Sequence, residues 1–275
     1  MTLRWNWRVM GAAALLAANL CVPAGAEGVT PGELQQLYSS RVERRYDVPP
    51  ADAARYARLV QAALDAAAVA LDGPQYIVAV DRSGWVQAAF VFWRSAQGEW
   101  RLVGASPVST GRPGTFDHFE TPLGVFEHSP ANMDFRAEGT FNENGIRGYG
   151  LKGMRVFDFG WQQVPKGWGD GLAIQMRLQM HATDPDALEQ RLGTAQSKGC
   201  VRIPAALNTL LDHYGVIDAD YEALAATGAH LWVLAEDREP VADAGRWFVV
   251  IDSAGDARPD WATAPWLPHR RPPAH

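Results

Sequence analysis

The chain has 275 residues, of which 47% are hydrophobic, and its 31 acidic and 25 basic side chains give a formal net charge of −6. This length suffices for one sizeable domain with appendages. The acidic balance argues against nucleic acid or an anionic membrane surface as the main partner.

The first 26 residues have the pattern of a secretory signal peptide. Arg4 and Arg8 give a positive start, residues 9–22 form a short apolar run, and small residues at 24–26 suit cleavage there. The apolar run is shorter than the roughly 20 residues that a membrane-spanning helix needs. We therefore expect export to the periplasm or cell envelope, with no stable membrane insertion after cleavage. A retained anchor is the alternative.

Cleavage at this position changes the charge and the thiol content of the chain. It removes Arg4, Arg8 and Cys21, which leaves 23 basic and 31 acidic residues, a net charge of −8, and Cys200 as the single cysteine. Cys21 does not fit a lipid anchor, because Leu20 stands where lipoprotein signals have a small residue. In an oxidising compartment an unpaired cysteine indicates an intermolecular bridge or a thiol kept for its reactivity. A buried, inert cysteine is the alternative.

Residues 27–72 are predicted to form a short helical N-terminal arm, since Ala, Leu and Arg recur there at helical spacing. Thr30 or Pro31 opens a first helix. A Pro-Pro pair at 49–50 separates it from a second helix, which ends before Gly73.

After residue 73 the chain consists of short runs rich in β-branched and aromatic residues, bounded by Gly, Pro, Asp or Ser, and such runs predict strands. We expect residues 73–236 to form the main, mainly β domain of an α+β fold. Residues 237–275 would add a C-terminal strand and a proline-rich tail. The predicted strands lie within residues 76–80, 86–93, 99–110, 124–128, 172–181, 230–235 and 246–252.

The segment 172–181 alternates cleanly between apolar and polar side chains, as a half-buried strand does. Its apolar face runs from Leu172 to Met180, and its polar face runs from Gln175 to His181. His181 therefore ends the strand on the polar face, whereas a core histidine would have the opposite phase.

Cys200 lies within residues 197–202, Ser-Lys-Gly-Cys-Val-Arg, shortly before a predicted helix. Pro204 suits the first helical position and Gly215 suits the end. The apolar stripe between them consists of Leu207, Leu210, Leu211 and Tyr214. We therefore expect Cys200 just ahead of a helix N-terminus, where partial positive charge favours the thiolate.

His181 is the best candidate base for this thiol. Cysteine and histidine are the minimum set for covalent acyl transfer, because the imidazole takes the thiol proton and the thiolate adds to a carbonyl. Backbone N–H groups in the turn of Gly199 and Cys200 would stabilise the resulting oxyanion. The pairing alone is weak evidence, because the chain has seven histidines.

Two blocks of the sequence resemble the L,D-transpeptidase catalytic domain, also called the YkuD domain. That family has a His, then some 14 to 17 residues, then Ser or Thr, His, Gly and Cys, usually with Arg two positions on. Here His181 is followed by fifteen residues and then by the hexapeptide 197–202. The stretch 107–129 also resembles the family's "STG…TP.G.F" segment, and the resemblance covers about residues 75–236. It departs at Lys198, where the family has a second histidine.

The resemblance implies a β-sandwich with mixed sheets and a cleft above the cysteine loop. It also implies that Cys200 attacks the third residue of a peptidoglycan tetrapeptide stem, expels the terminal D-Ala and passes the acyl group to an amine of another stem, a 3→3 cross-link. With water as acceptor, the same fold would be a hydrolase or carboxypeptidase that trims stems or releases wall-linked protein. A non-catalytic peptidoglycan-binding module is a further alternative.

The family pattern assigns His181 as base and Cys200 as nucleophile, with Gly199 supplying oxyanion backbone. Ser197 would orient His181 through its hydroxyl or carbonyl, and Asp184 is a weaker candidate for that role. These two polar residues flank the loop that joins the base to the thiol.

Further residues are candidates for substrate contact. Lys198 would lower the thiol pKa by its charge, or be a solvated surface residue. Arg202 would orient the loop or contact a substrate carboxylate, with a structural salt bridge as the alternative. Tyr149, Trp161 and Trp168 lie in a Gly-rich stretch and would line a lid over the donor site, or else pack ordinarily.

We expect no metal and no cofactor. His118, His128 and His213 lack ligand spacing, and one cysteine cannot build a structural zinc site. Residues 148–153 fit a G-x-G-x-x-G pattern, but a strand-like run follows them where a dinucleotide site would have a helix.

Overall fold

The computed structural model describes residues 28–263. The predicted signal peptide at 1–26 and the chain beyond residue 263 lie outside this range. The helices are α1 (Pro31–Arg41), α2 (Pro50–Ala66), α3 (Ala205–His213) and α4 (Ala219–Ala226). The strands are β1 (Gln75–Asp81), β2 (Ala88–Arg94), β3 (Trp100–Pro107), β4 (Gly124–Glu127), β5 (Phe135–Arg136), β6 (Arg155–Pro165), β7 (Ala173–Ala182), β8 (Val201–Ile203) and β9 (Trp247–Ile251).

The strands form two mixed sheets, which confirms the β-rich architecture in this general form. One sheet has the order β3-β2-β1-β9-β4, and the other has the order β5-β6-β7-β8. Each contains one parallel pair, β1 with β9 and β7 with β8. Apolar side chains from both sheets share one core, to which α1 and α3 also contribute. Because that core takes one face of β7, the opposite face of the strand is left for polar residues.

Both predicted N-terminal helices are present and both are packed against the sheets. Thr30 caps α1 with a capping box that includes Glu33. Leu34 and Tyr38 of α1 enter the core between the sheets. The apolar side of α2, which includes Tyr56, covers the other face of the five-stranded sheet. Residues 31–66 therefore contribute to the cores on both faces of this sheet.

The predicted C-terminal strand is also present, as β9, and it lies inside the five-stranded sheet. It pairs in parallel with β1, where Ala79 stands opposite Val249, and antiparallel with β4, where Phe126 stands opposite Phe248. Phe248, Val249 and Val250 are buried. The five-stranded sheet therefore depends on a strand from the last part of the described chain.

The prediction of a strand at residues 230–235 is wrong. This segment is a turn-rich loop after α4. Its apolar side chains, Val233 and Leu234, instead pack with Tyr221 in a small separate cluster. A short apolar run has the same composition in a packed loop as in a strand, so periodicity alone could not separate the two.

A buried ionic network lies beneath the second sheet. Arg155, which is 0% exposed, donates to Asp134 at 2.7 Å and to Asp218 at 2.6 Å. His128 also contacts Asp134, at 2.9 Å. Burial opposes the charges of these groups, but the two aspartates outweigh it and raise the pKa of Arg155. Each charge in the network therefore depends on its partners.

Replacement of Arg155 by Leu should strongly destabilise the fold, because it leaves two buried carboxylates without their cation. We expect the free energy of unfolding in urea to fall by about 3–5 kcal/mol. Arg238→Leu is the matched control, since Arg238 pairs with Glu222 at a partly exposed site, and should cost about 1 kcal/mol or less. Equal losses in the two variants would contradict this account.

Candidate active site

Strand β7 places His181 as the alternation predicts, but in more buried surroundings. Met176, Leu178 and Met180 face the core, so His181 lies on the opposite, polar face. It is nevertheless only 4% exposed, because Tyr149 from the loop before β6 packs its ring edge-to-face against the imidazole at 4.7 Å. The polar end of the strand is therefore covered.

The hydrogen bond of His181 fixes which ring nitrogen carries the proton. Its Nδ1 lies 2.7 Å from the carbonyl oxygen of Ala182, and since a carbonyl only accepts, Nδ1 must be the donor. Burial lowers the pKa of His181 to about 4, the Ala182 bond works against this, and the charge of Arg202 lowers the pKa further. The imidazole is therefore neutral at pH 7, with its lone pair on Nε2.

Strands β7 and β8 bring the thiol to the same face as this imidazole. Their parallel register pairs His181 with Arg202. Val201 and Ile203 point into the core, so Arg202 and Cys200 point the other way. Cys200 lies two residues before Arg202, the partner of His181. Ordinary strand spacings then place the Cα atoms of Cys200 and His181 roughly 8 Å apart. The structure thus brings the predicted pair onto one face.

The thiol of Cys200 rests against the backbone of β7, and its surroundings do not favour the thiolate. Its Sγ is 3.7 Å from the carbonyl oxygen of Arg177. Burial raises the pKa of Cys200, while a backbone hydrogen bond from Gln179 and the charge of Arg202 lower it in part. The expectation of a helix-stabilised thiolate is wrong, because β8 separates Cys200 from α3, which begins at Ala205.

The loop that carries Cys200 is held by residues 109–121, which we call the cradle. The carbonyl of Thr110 accepts from the Ser197 amide at 3.0 Å. The Thr121 hydroxyl donates to the Gly199 carbonyl at 2.7 Å and accepts from the amide of Gly111 at 2.8 Å. The upstream sequence block and the cysteine block are therefore two halves of one hydrogen-bonded unit.

Two glycines permit this close approach. Gly199 has φ +134°, and a Cβ there would lie 2.8 Å from Cε of Met176. A Cβ on Gly111 would lie 2.0 Å from the carbonyl oxygen of Phe119. At Gly111 the obstacle is backbone, so a side chain there would force the loop to move. At Gly199 the obstacle is the end of the Met176 side chain, and the positive φ would strain any residue other than glycine. We expected the Gly199 N–H to stabilise the oxyanion. In this arrangement the group is already hydrogen-bonded, because it donates to Oγ of Ser197 at 3.0 Å.

The expected orientation of His181 by Ser197 or Asp184 is wrong. The Ser197 hydroxyl donates to the carbonyl of Cys200 at 2.5 Å and thereby closes its own loop. Asp184 accepts from the amide of Arg147 at 2.8 Å and caps the turn that follows β7. The partner of His181 is the backbone of the next residue, which no side-chain pattern could reveal.

The two cations of the hexapeptide have different surroundings. Lys198 is 65% exposed and pairs with Asp117 at 2.5 Å, so it does not act on the thiol as its position suggested. Arg202 is largely buried, and among residues 28–263 it forms no salt bridge, which removes the structural alternative considered for it. Its charge instead acts on Cys200 and His181.

The three aromatic candidates come from different elements and do not form one lid. Tyr149 covers His181 and borders a cavity of about 480 Å³. Trp161 lies on β6, opposite Arg177, and is 60% exposed. Trp168 lies in the β6–β7 connection and packs edge-to-face against Phe119 of the cradle at 5.0 Å. Only Tyr149 contacts a residue of the predicted catalytic pair.

Sequence reasoning missed Asp158. Its Oδ2 accepts from Nε of Arg177 at 2.7 Å and from Nε2 of Gln179 at 2.8 Å, so it fixes two polar side chains beside the thiol. Asp158 is buried and its charge raises the pKa of Cys200. A lone acid inside the apolar run of β6 was the available signal.

Comparison with models of known protein families and with curated proteins finds no match for this chain. In residues 28–263 no group of three or more His, Cys, Asp or Glu side chains is placed to hold a metal ion. No helix in this range is long and apolar enough to cross a membrane.

Thr121→Val should loosen the cradle, because valine keeps the shape but leaves the Gly199 carbonyl and the Gly111 amide without their partner. We expect a loss of about 1–3 kcal/mol in the free energy of unfolding. The matched control is Thr209→Val on the exposed side of α3, where the change should stay within about 0.5 kcal/mol. Equal effects measured by urea denaturation would count against the cradle.

The alkylation of Cys200 by iodoacetamide should keep accelerating with pH beyond 9, since burial raises the thiol pKa above its ordinary 9.0 and only the thiolate reacts. The rate is measured on the digested peptide that contains Cys200. Arg202→Gln should shift the profile to still higher pH, because the guanidinium charge lowers this pKa. A rate that levels off near pH 7 would contradict the assignment.

Proposed function

We propose that this protein is an exported, cysteine-dependent L,D-transpeptidase of peptidoglycan, with the β-sandwich of that family. The observation that carries the proposal is the shared face of β7 and β8. It presents the thiol of Cys200 on the same face as an imidazole whose Nδ1 is engaged by a backbone carbonyl. His181 thus offers Nε2 as its basic atom, as acyl transfer requires.

In the proposed acylation, Nε2 of His181 takes the proton of the Cys200 thiol as the sulfur adds to the carbonyl carbon of the donor stem. The tetrahedral intermediate then breaks its C–N bond. The protonated imidazole gives its proton to the departing amine, so D-Ala leaves neutral at nitrogen and a thioester remains.

In the second half, an amine of another stem adds to the thioester carbonyl. Its proton passes to Nε2 of His181, the C–S bond breaks, and the sulfur takes that proton back. One amide bond has been exchanged for another, with no net gain of protons. Water in place of the amine would give a shortened stem and a hydrolase.

Before a donor binds, the thiol and the imidazole are both neutral. These states suit a base that takes the thiol proton only while the sulfur attacks the donor carbonyl. A thiol with a raised pKa and an imidazole with a pKa of about 4 are both neutral at pH 7. The thiol therefore resists alkylation and oxidation until a bound donor brings a carbonyl to it. Arg202 favours the thiolate that forms at that moment, since its charge lowers the thiol pKa.

The departure at Lys198 is compatible with this function. Residue 198 contributes to the site through its backbone, since its carbonyl accepts from the amide of Phe119 in the cradle at 3.1 Å. Its side chain points to Asp117 on the surface. A histidine and a lysine can therefore both occupy this position without moving the thiol.

The proposal extends to the organisation of the whole chain. Residues 1–26 would direct export to the periplasm or cell envelope, and residues 73–236 would carry the catalytic site. Residues 27–72 and 237–275 would support that domain through α1, α2 and β9. The partner is the peptidoglycan stem peptide.

Exposure to a carbapenem, followed by intact-mass measurement, tests the nucleophile, because this drug class acylates the cysteine in the L,D-transpeptidase family. We expect one adduct, none with Cys200→Ala, and an acylation rate about a hundredfold or more lower with His181→Gln. His213→Gln on the surface of α3 is the matched control. An adduct that survives Cys200→Ala would overturn the assignment.

Purified tetrapeptide muropeptides identify the acceptor. Cross-linked dimers together with released D-Ala support the transpeptidase, whereas shortened monomers alone support a hydrolase. Full cellular activity of Cys200→Ala would instead indicate a non-catalytic peptidoglycan-binding module.

A further inference from the structure

A second arginine lies on the same face as the proposed nucleophile. Arg177 precedes Gln179 by two residues on β7, so its side chain shares the polar face with His181. The Sγ of Cys200 touches the carbonyl oxygen of Arg177 at 3.7 Å, and the Arg177 side chain is 41% exposed. The backbone of Arg177 therefore touches the thiol, and its side chain is partly open to solvent.

The guanidinium group of Arg177 is fixed at one end and open at the other. Its Nε donates to Oδ2 of Asp158 at 2.7 Å, and its Cζ lies 5.9 Å from the ring centroid of Trp161. Among residues 28–263, neither Nη1 nor Nη2 of Arg177 has a protein partner. Two parallel N–H donors with a fixed orientation match the two oxygens of a carboxylate.

Asp158 is itself held firmly, which makes it an anchor for this group. It is 0% exposed, and its other oxygen accepts from the amide of Gly160 at 2.8 Å. Its Oδ2 also accepts from the side chain of Gln179. The orientation of Arg177 is thus fixed before any ligand arrives, which reduces the entropic cost of binding.

Arg202 lies on the opposite side of the thiol. Arg202 pairs with His181 in the strand register, whereas Arg177 lies four residues before His181 on β7. Arg202 also lacks an acidic partner in the described part of the chain. The order of the residues along this face is therefore Arg177, Cys200, Arg202, with backbone spacings of roughly 7 Å per two strand residues.

We propose that Arg177 is a positioning residue that binds one carboxylate of the acyl donor. In the proposed reaction a carboxylate can stand on either side of the scissile amide, at the end of the leaving residue or on the side chain of the acyl residue. The identity of the ligand as an acyl donor rests on the proposed function, whereas the binding of a carboxylate by Arg177 does not.

The test uses three donor peptides: one with both carboxylates, one amidated at the C-terminus and one amidated at the acyl side chain. With Arg177→Gln, kcat/KM for the dicarboxylate donor should fall by about tenfold to a hundredfold. The loss should vanish for one of the two amidated donors, which identifies the carboxylate that Arg177 binds. An equal loss on both amidated donors, or no loss on the dicarboxylate, overturns the proposal.

Two further variants separate a binding role from a structural one. Arg177→Lys keeps the charge but lacks the two parallel N–H groups, so it should recover part of the affinity for the donor. Arg101→Gln removes an exposed arginine from β3 and should match the unaltered protein on all donors. If Arg177→Gln lowers Tm and Arg177→Lys restores Tm without any donor affinity, the residue is structural and the proposal fails.

Calorimetric binding to the Cys200→Ala variant distinguishes this proposal from the function on which it builds. The dicarboxylate donor should bind this variant, and the added Arg177→Gln change should weaken binding by about tenfold or more. Arg177-dependent binding without turnover in the unaltered protein would contradict only the transpeptidase. Turnover with binding that ignores Arg177 would contradict only the carboxylate site.

Discussion

The geometry of the candidate site depends on the backbone hydrogen bonds between the cradle and the cysteine loop. Residues 197–200 have no regular secondary structure of their own, so their shape comes from Thr110, Phe119 and Thr121, which bond to the amides and carbonyls of the loop. The Ser109–Arg202 bridge continues this contact into β8. Because these bonds use backbone groups, the cradle fixes the path of the chain while leaving side chains such as Lys198 free to differ.

A consequence of this tight loop is that the imidazole of His181 is buried, the thiol of Cys200 is partly buried, and both groups are neutral. The same close packing that positions Cys200 removes water from it, which raises the pKa of the thiol and lowers that of His181. Desolvation thus acts against the ion pair that a more open site would form. Under the proposed function, such a pair would gain its reactivity from the donor carbonyl, and the cation of Arg202 would stabilise the charge as it develops.

Much of the fold was predictable, because long periodic segments carry their own signal. The start of α1 at Thr30 and Pro31, the alternation of β7 and the apolar stripe of α3 all appear as expected. The errors share a cause, since residues 230–235, the partner of His181 and the pKa of Cys200 all depend on tertiary contacts. A sequence states which side chains share a face, but it does not state which loop covers that face or where a backbone carbonyl lies.

The buried ionic network connects the core to the polar face on which the thiol lies. Asp134, held by Arg155 and His128, accepts from the amide of Asp158 at 2.8 Å. The side chain of Asp158 then holds Arg177 and Gln179. Isolated buried charges are costly, and each charge of this network has a partner of opposite sign. Here the core charges fix the start of β6 and therefore the position of Asp158. The orientation of the Arg177 guanidinium thus depends on ion pairs beneath the sheet.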